Sequence, residues 1–159
     1  ARSRLDGFLV SIDAMGCQKE IAGKIVAKGG DYLLMVKGNQ PGLLEKVSAA
    51  FTEGRHIDLP RFEHLDTRHG RLVTQITWTA PADAAAVNAE EWPNCKTVAM
   101  VASLRQVGDK TSDLEQRNYI SSRDMTPERL AKAVRAHWAV ENKLHWVLVC
   151  QFRRGCLQG

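Results

Sequence analysis

An α/β fold is expected for this chain on three grounds. Strand-like and helix-like segments alternate with short joints over residues 1–54. Half-buried strand patterns fill the middle of the chain, and an amphipathic helix opening at Thr126-Pro127-Glu128 follows them. At 159 residues the chain makes about one compact unit, long enough to bury a real core.

Phe8-Leu9-Val10-Ser11-Ile12 is apolar and β-branched, a buried strand that ends at Asp13 and the turn-like Ala14-Met15-Gly16. From Gln18 to Lys28 the residues Ile21, Ala22, Ile25 and Val26 recur at helical spacing, and Gly29-Gly30 supplies a stop. Tyr32 to Val36 is a second buried strand. Gly38-Asn39-Gln40-Pro41 reads as a turn and helix start, with Leu43, Leu44, Val47 and Phe51 on one face. That order implies a parallel βαβ unit, whose crossover is right-handed as a rule.

After Gly54 the pattern changes. Arg55 to Arg71 reads as a polar loop, and Leu72 to Trp78 then alternates as a half-buried strand does. Val98, Met100, Ala102 and Leu104 alternate in the same way, Gln116 to Ser121 adds a strand, and Gly108-Asp109-Lys110 is a hairpin turn. Ala82 to Glu91 is expected to form a short helix. Residues 55–122 are thus expected as a β-rich antiparallel insertion between the βαβα unit of residues 1–54 and a helix within residues 123–148 that runs to about Leu148. Residues 149–159 stand apart as a divergent tail.

Hydrophobic residues make up 44% and charged residues 25%, which excludes a disordered chain or a fibrous repeat. A net charge of +4 admits a nucleic acid as partner without requiring one. Apolar runs such as Leu33-Leu34-Met35-Val36 fall far short of the ~20 residues of a membrane span, and no leader opens the chain. A cytoplasmic protein is expected. Cys17, Cys95, Cys150 and Cys156 contain no Cys-x-x-Cys pair, so neither a zinc ribbon nor a thioredoxin-like site is indicated.

One residue breaks the pattern of the last helix. Advancing about 100° per residue from Leu130, the positions Val134, Trp138, Glu141, Leu144 and His145 fall within about 80° of it, while Lys132, Arg135 and Lys143 lie opposite. Glu141 therefore sits inside the apolar stripe. A buried carboxylate needs a partner, a raised pKa or a metal. Asp13 has a matching place at a strand end, where open α/β sheets bind their ligands. Two hard oxygen ligands without His or Cys suit Mg²⁺ or Mn²⁺. The plainer alternatives stay open: Asp13 as a turn or cap residue, Glu141 paired with a core Arg or with His145, and His137 and His145 as satisfied interior histidines. Trp138 reads as core, and Trp146, on the polar side with Arg135, either as a stacking or partner-binding residue or as an ordinary partly exposed Trp.

Several segments together resemble one family. Val10-Ser11-Ile12-Asp13-Ala14-Met15-Gly16-Cys17-Gln18, Lys28-Gly29-Gly30-Asp31-Tyr32, Lys37-Gly38-Asn39-Gln40, His69-Gly70-Arg71, Trp92-Pro93, Tyr119-Ile120-Ser121-Ser122 and Arg135-Ala136-His137-Trp138-Ala139-Val140-Glu141-Asn142-Lys143-Leu144-His145-Trp146 recur in this order in the H-repeat-associated (ISAs-type) insertion-sequence transposases. The resemblance implies part of a ribonuclease H-like catalytic core with a β-rich antiparallel insertion, and a DDE set of two Asp and one Glu. Asp13 matches the second Asp and Glu141 the Glu. In the mechanism so implied, two divalent ions activate a water or a DNA 3′-hydroxyl for attack on phosphorus.

Two departures accompany it. The family's first Asp lies in an upstream Asp-Gly-Lys segment that these residues do not include; Asp6-Gly7-Phe8 is not that motif. Beyond Leu148 the family continues with Leu-Asp and Phe-x-Glu-Asp, where this chain reads Val149-Cys150-Gln151-Phe152-Arg153-Arg154-Gly155-Cys156, as a shifted reading frame would give. The expectation is a truncated transposase, inactive as written. From a different class, the alternative is a non-catalytic remnant that binds DNA or intact transposase, and self-association through an uncovered sheet edge is expected. Arg68, Arg71, Arg135, Lys143 and Trp146 are the residues nominated to contact insertion-sequence ends or target DNA.

Overall fold

The computed structural model describes residues 5–52, 54–144 and 152–153, with side chains described through Ala139. β1 (Phe8–Ile12), α1 (Lys19–Ala27), β2 (Asp31–Val36) and α2 (Pro41–Phe51) follow the expected order. β1 and β2 pair in parallel, Leu9 opposite Asp31 and Ile12 opposite Leu34. The return from α1 to β2 is tight. A Cβ on Gly30 would lie 2.9 Å from Leu5 Cβ, so the glycine lets the chain before β1 pack against this turn.

β3 (Arg61–Arg68), β4 (Arg71–Pro81), β5 (Thr97–Val107), β6 (Lys110–Thr111) and β7 (Glu115–Ser121) are antiparallel. β7 pairs with β2, Leu33 opposite Ser121 and Val36 opposite Asn118, so these strands extend the β1–β2 sheet instead of forming a second layer. The two-residue β8 (Phe152–Arg153) pairs with β1 on its other side, giving the order β3-β4-β5-β7-β2-β1-β8, with β6 on β5 alone.

Two expectations are corrected. Arg55 to Arg71 is not a loop: a 3₁₀ turn (Arg55–Asp58) leads into β3, whose eight residues are all in register with β4. β3 is an edge strand that exposes every other residue, so its polar composition is a solvent-facing row. Ala82 to Glu91 is not an α-helix. A 3₁₀ turn (Ala82–Ala85) ends at Ala86 with φ +54°, and the chain then buries Val87 and Trp92; two apolar anchors outweigh the alanines' helix propensity.

Strand alternation sorts the core onto two faces. Val10, Tyr32, Leu34, Val98, Met100 and Ile120 pack with residues of α1 and α2. Leu9, Leu33, Met35, Ala99, Val101 and Tyr119 pack on the other face with α3 (Pro127–Leu144). α3 touches β1, β3, β4 and β5, so the sheet curls around it. Residues 145–148, expected in this helix, lie outside the described residues. Among the described residues, no helix is long and apolar enough to cross a membrane.

Candidate active site

The face that carries Leu9 and Ser11 leads, two residues on, to Asp13. Asp13 leaves β1 with extended backbone (φ −65°, ψ 166°) and caps the 3₁₀ turn Ala14–Gly16, its Oδ1 accepting from Ala14 N–H at 2.6 Å. The capping role left open by the sequence is therefore real, and it occupies one oxygen. Among the described residues no cationic side chain pairs with this carboxylate. The turn itself is held from the next loop: Asn39 Nδ2 donates to Ala14 O at 2.8 Å, and Gln40 Nε2 to Cys17 O at 3.1 Å.

α3 is tied to this edge. Ser11 is 3% and His137 6% exposed, and Ser11 Oγ and His137 Nδ1 share a hydrogen bond of 2.8 Å. The helix advances toward the Asp13 end: Ser121 Oγ meets Met125 Sδ just before α3, while Trp138 stacks on Arg117, four residues nearer that end on β7. Glu141 follows His137 by four residues, one helical turn, so its backbone position shares His137's face of α3. The side chains of Glu141 and Lys143 lie outside the described residues, as do His145 and Trp146. Trp138 packs against the α3-side core, as its sequence position suggested.

Tyr119 stands level with Met35 on β7 and is 4% exposed. Burial pushes its phenol well above the usual range, the nearby Arg117 charge opposes this and the Asp13 charge adds to it. Its hydroxyl makes no hydrogen bond of good geometry among the described residues.

The other nominated residues are placed elsewhere. Arg68 and Arg71 face each other across the His69-Gly70 turn, where φ is +53° and +71°, at the tip of the β3–β4 hairpin. Eight residues of β4, roughly 26 Å of strand, separate Arg71 from Thr79, which is level with Tyr119 across β5. The hairpin overhangs the Asp13 edge without reaching it. Arg135 does not lie on a solvent face: its Nη1 is buried without a hydrogen bond among the described residues, and burial lowers its pKa against the pull of Glu128. It faces β3, where His64 is held below its usual pKa by burial and then by the Arg135 charge.

No group of three His, Cys, Asp or Glu side chains converges among the described residues. Asp31 lies opposite Leu9, at the other end of the sheet from Asp13, and Asp66 pairs with Arg68 at 3.2 Å on the edge strand. A hollow of about 720 Å³ also lies at that other end, around Thr97, Asp124 and Pro127.

Residue reading missed Ser11, Asn39, Gln40, Arg117 and Tyr119. Ser11 carried a signal, as the one hydroxyl in an otherwise apolar strand.

A family model described as a transposase DDE domain matches residues 1–158. YhhI of Escherichia coli K12, an H repeat-associated candidate transposase, is 36% identical over 165 residues, covering 95% of this chain and 43% of that protein. YbfL of the same strain gives the same figures, 36% over 165 residues with 95% and 43% covered. YncI of Escherichia coli O157:H7, a candidate transposase, is 40% identical over 149 residues, 88% of this chain and 37% of its own length. The chain thus spans about two fifths of the length of these curated relatives. No solved structure matches it.

Proposed function

Because this chain belongs to the transposase DDE domain family, we propose that it supplies the carboxylate edge of a ribonuclease H-like core that cleaves and joins DNA at insertion-sequence ends. The observation that carries this reading is the buried Ser11–His137 hydrogen bond. It fixes β1 against α3 so that Asp13, two residues along the strand, and Glu141, one helical turn along α3, belong to one end of the sheet.

The donor chemistry fits a hard divalent ion. Asp13 spends one oxygen on Ala14 and offers the other with no competing cation among the described residues. Asp13 and Glu141 are the residues that would hold Mg²⁺ or Mn²⁺, which would supply Lewis-acid activation for attack on phosphorus. The protein's own contribution is orientation: Asn39 and Gln40 hold the turn after Asp13, and Ser11 with His137 holds the helix.

Residues 55–122 serve as an insertion whose β4–β5 arms overhang the edge and carry basic side chains toward DNA. Cleavage belongs to the whole cytoplasmic protein. With two of the family's three carboxylates among its residues, this chain alone is expected to bind the ion and not to cut.

A Mn²⁺ titration of the chain followed by electron paramagnetic resonance tests the reading. Binding that falls at least tenfold in both Asp13→Asn and Glu141→Gln is expected. Equal affinity in wild type and both variants overturns it, and duplex binding indifferent to these changes would favour a non-catalytic DNA-binding role.

A further inference from the structure

The tip that overhangs the Asp13 edge has two unlike faces. Arg68 stands opposite Arg71, Arg71 opposite Val107, and Val107 opposite Lys110, so one row of side chains crosses β3, β4, β5 and β6. Residues directly opposite in antiparallel strands project from the same face of a sheet. Two residues back along β5, Arg105 returns to that face, opposite Val73 on β4. Ser112 brackets it, donating from its N–H to Arg105 O at 2.7 Å and accepting at Oγ from Arg105 N–H at 3.0 Å. The reverse face of the same tip carries the row Thr67, Leu72, Gln106 and Thr111, which holds no charge.

The charged face is the one that looks toward the candidate active site. Ala99 and Val101 on β5 pack with α3, and Arg105 and Val107 follow them at even spacing, so the cations project on the side toward which the sheet curls. On β1 that side runs through Leu9 and Ser11 to Asp13. Gathering the charge there has a cost, since like charges directly opposite, as in Arg68 and Arg71, destabilise a strand pair. Asp66 offsets Arg68 at 3.2 Å. Arg71, Arg105 and Lys110 are exposed and enter no ion pair among the described residues. Charge placed for solubility alone would have no reason to avoid Thr67, Gln106 and Thr111, which are exposed as well.

We infer that this one face of the tip binds the phosphate backbone of duplex DNA, with Arg71, Arg105 and Lys110 as its contacts and the reverse face taking no part. The inference rests on the transposase reading for DNA as the substrate and adds which face, and which residues, hold the duplex away from the reacting phosphate. The span of the row favours an extended polyanion over a single anion. Three strand steps of about 4.8 Å put the Lys110 backbone roughly 14 Å from that of Arg68, the axial rise of about four phosphates of one DNA strand.

Fluorescence anisotropy of the chain with a labelled DNA duplex, repeated over a range of salt, is the test. Arg71→Gln, Arg105→Gln and Lys110→Gln are each expected to weaken binding several-fold, and the triple variant at least tenfold. The slope of log affinity against log salt should flatten by about 0.9 for each phosphate no longer neutralised. All three positions are exposed and outside any ion pair among the described residues, so the urea midpoint should stay in place. Arg61→Gln, on the reverse face of β3, should change neither affinity nor slope. Gln106→Arg added to the triple variant returns a charge to the wrong face and should recover neither. A triple variant with wild-type affinity and slope overturns the assignment while leaving the transposase reading in place, and so does recovery by Gln106→Arg as large as that from restoring Arg105. Polyglutamate that displaces the labelled duplex as well as unlabelled duplex of equal charge overturns DNA as the occupant in favour of an acidic protein. A wild-type chain that binds no duplex overturns the inference too, and the Mn²⁺ titration then decides the metal site separately.

Discussion

Asp31 and Asp13 stand on neighbouring strands at opposite ends of one sheet, and they are used in opposite ways. Asp31 commits both oxygens: Oδ1 accepts from Ser122 Oγ and Oδ2 from Arg123 Nε, each at 3.1 Å, while Arg123 Nη2 donates to Gly7 O at 3.3 Å. Its side chain is 16% and that of Arg123 15% exposed. Asp13 accepts one backbone hydrogen bond and pairs with no cation among the described residues. A carboxylate whose acceptors are all filled by its own chain holds elements together, whereas one with an unfilled oxygen at a strand end is available to a ligand. Both residues lie in motifs of comparable distinctness, and only the geometry separates the filled carboxylate from the one with an unfilled oxygen.

Exchanging the damage gives the largest effect. Asp31→Ala leaves the half-shielded Arg123 charge unpaired and should cost about 3 kcal/mol in urea unfolding, with Mn²⁺ affinity kept wherever the protein is folded. Asp13→Asn keeps an acceptor for Ala14 N–H and should change stability by less than about 0.5 kcal/mol while Mn²⁺ binding is lost. A variant that loses both properties, or neither, breaks the contrast.

The tie between the two elements is next. His137→Ala opens a small cavity and strands the Ser11 hydroxyl, a loss of about 2 kcal/mol that should come with weaker Mn²⁺ binding. Ser11→Ala should cost about 1 kcal/mol. Stability lost in both with ion affinity untouched would mean that the Ser11–His137 bond does not set the position of Glu141. Smaller still is the loop. Asn39→Ala and Gln40→Ala should each cost about 1 kcal/mol or less, with Mn²⁺ affinity falling more for Asn39, whose partner Ala14 adjoins Asp13, than for Gln40.

Much of this was legible in the sequence where burial leaves a period. β1, β2, α1 and α2 read directly because their apolar residues repeat at 2 or near 3.6 positions. β3 did not, because an edge strand exposes one row to water and its eight residues carry no apolar alternation. Asp13 and Glu141 stood out by position and by a broken apolar stripe. Their neighbours did not. Ser11, Arg117 and Tyr119 acquire meaning only from pairing across strands, and Asn39 and Gln40 read equally well as turn formers. Arg135 was misplaced because the helical wheel assumes one buried face, whereas a sheet that curls around α3 covers more of its circumference. Trp92-Pro93 and Tyr119-Ile120-Ser121-Ser122 were legible as motifs but largely describe packing: Tyr32 donates from its hydroxyl to Pro93 O at 2.8 Å, and Ser121 Oγ donates to Tyr32 O at 2.7 Å.

Two buried thiols, one at each end of the sheet, give the smallest and most local test. Cys17 closes the turn after Asp13, and burial pushes its thiol from the ordinary 9.0 up to about 12. Cys95 lies beside Tyr32 and Ser121, near the Asp31 end, and burial raises it to about 11 against the lowering by its hydrogen-bonding neighbours. Both keep their protons in the folded state at a pH where the unfolded chain has lost them. Their contribution to stability is thus whole below about pH 9 and is lost as pH rises from there toward 11 and 12. Urea midpoints should accordingly be level near neutral pH and fall above about pH 9, less steeply in Cys17→Ala. The same thiols time the opening of the two ends. If an unfilled carboxylate marks the looser end, iodoacetamide should label Cys17 before Cys95 in the native protein, as peptide mapping by mass spectrometry would record. Equal rates would mean that both thiols are reached only by global unfolding, and that the Asp13 edge is as rigid as the ion-paired end opposite it.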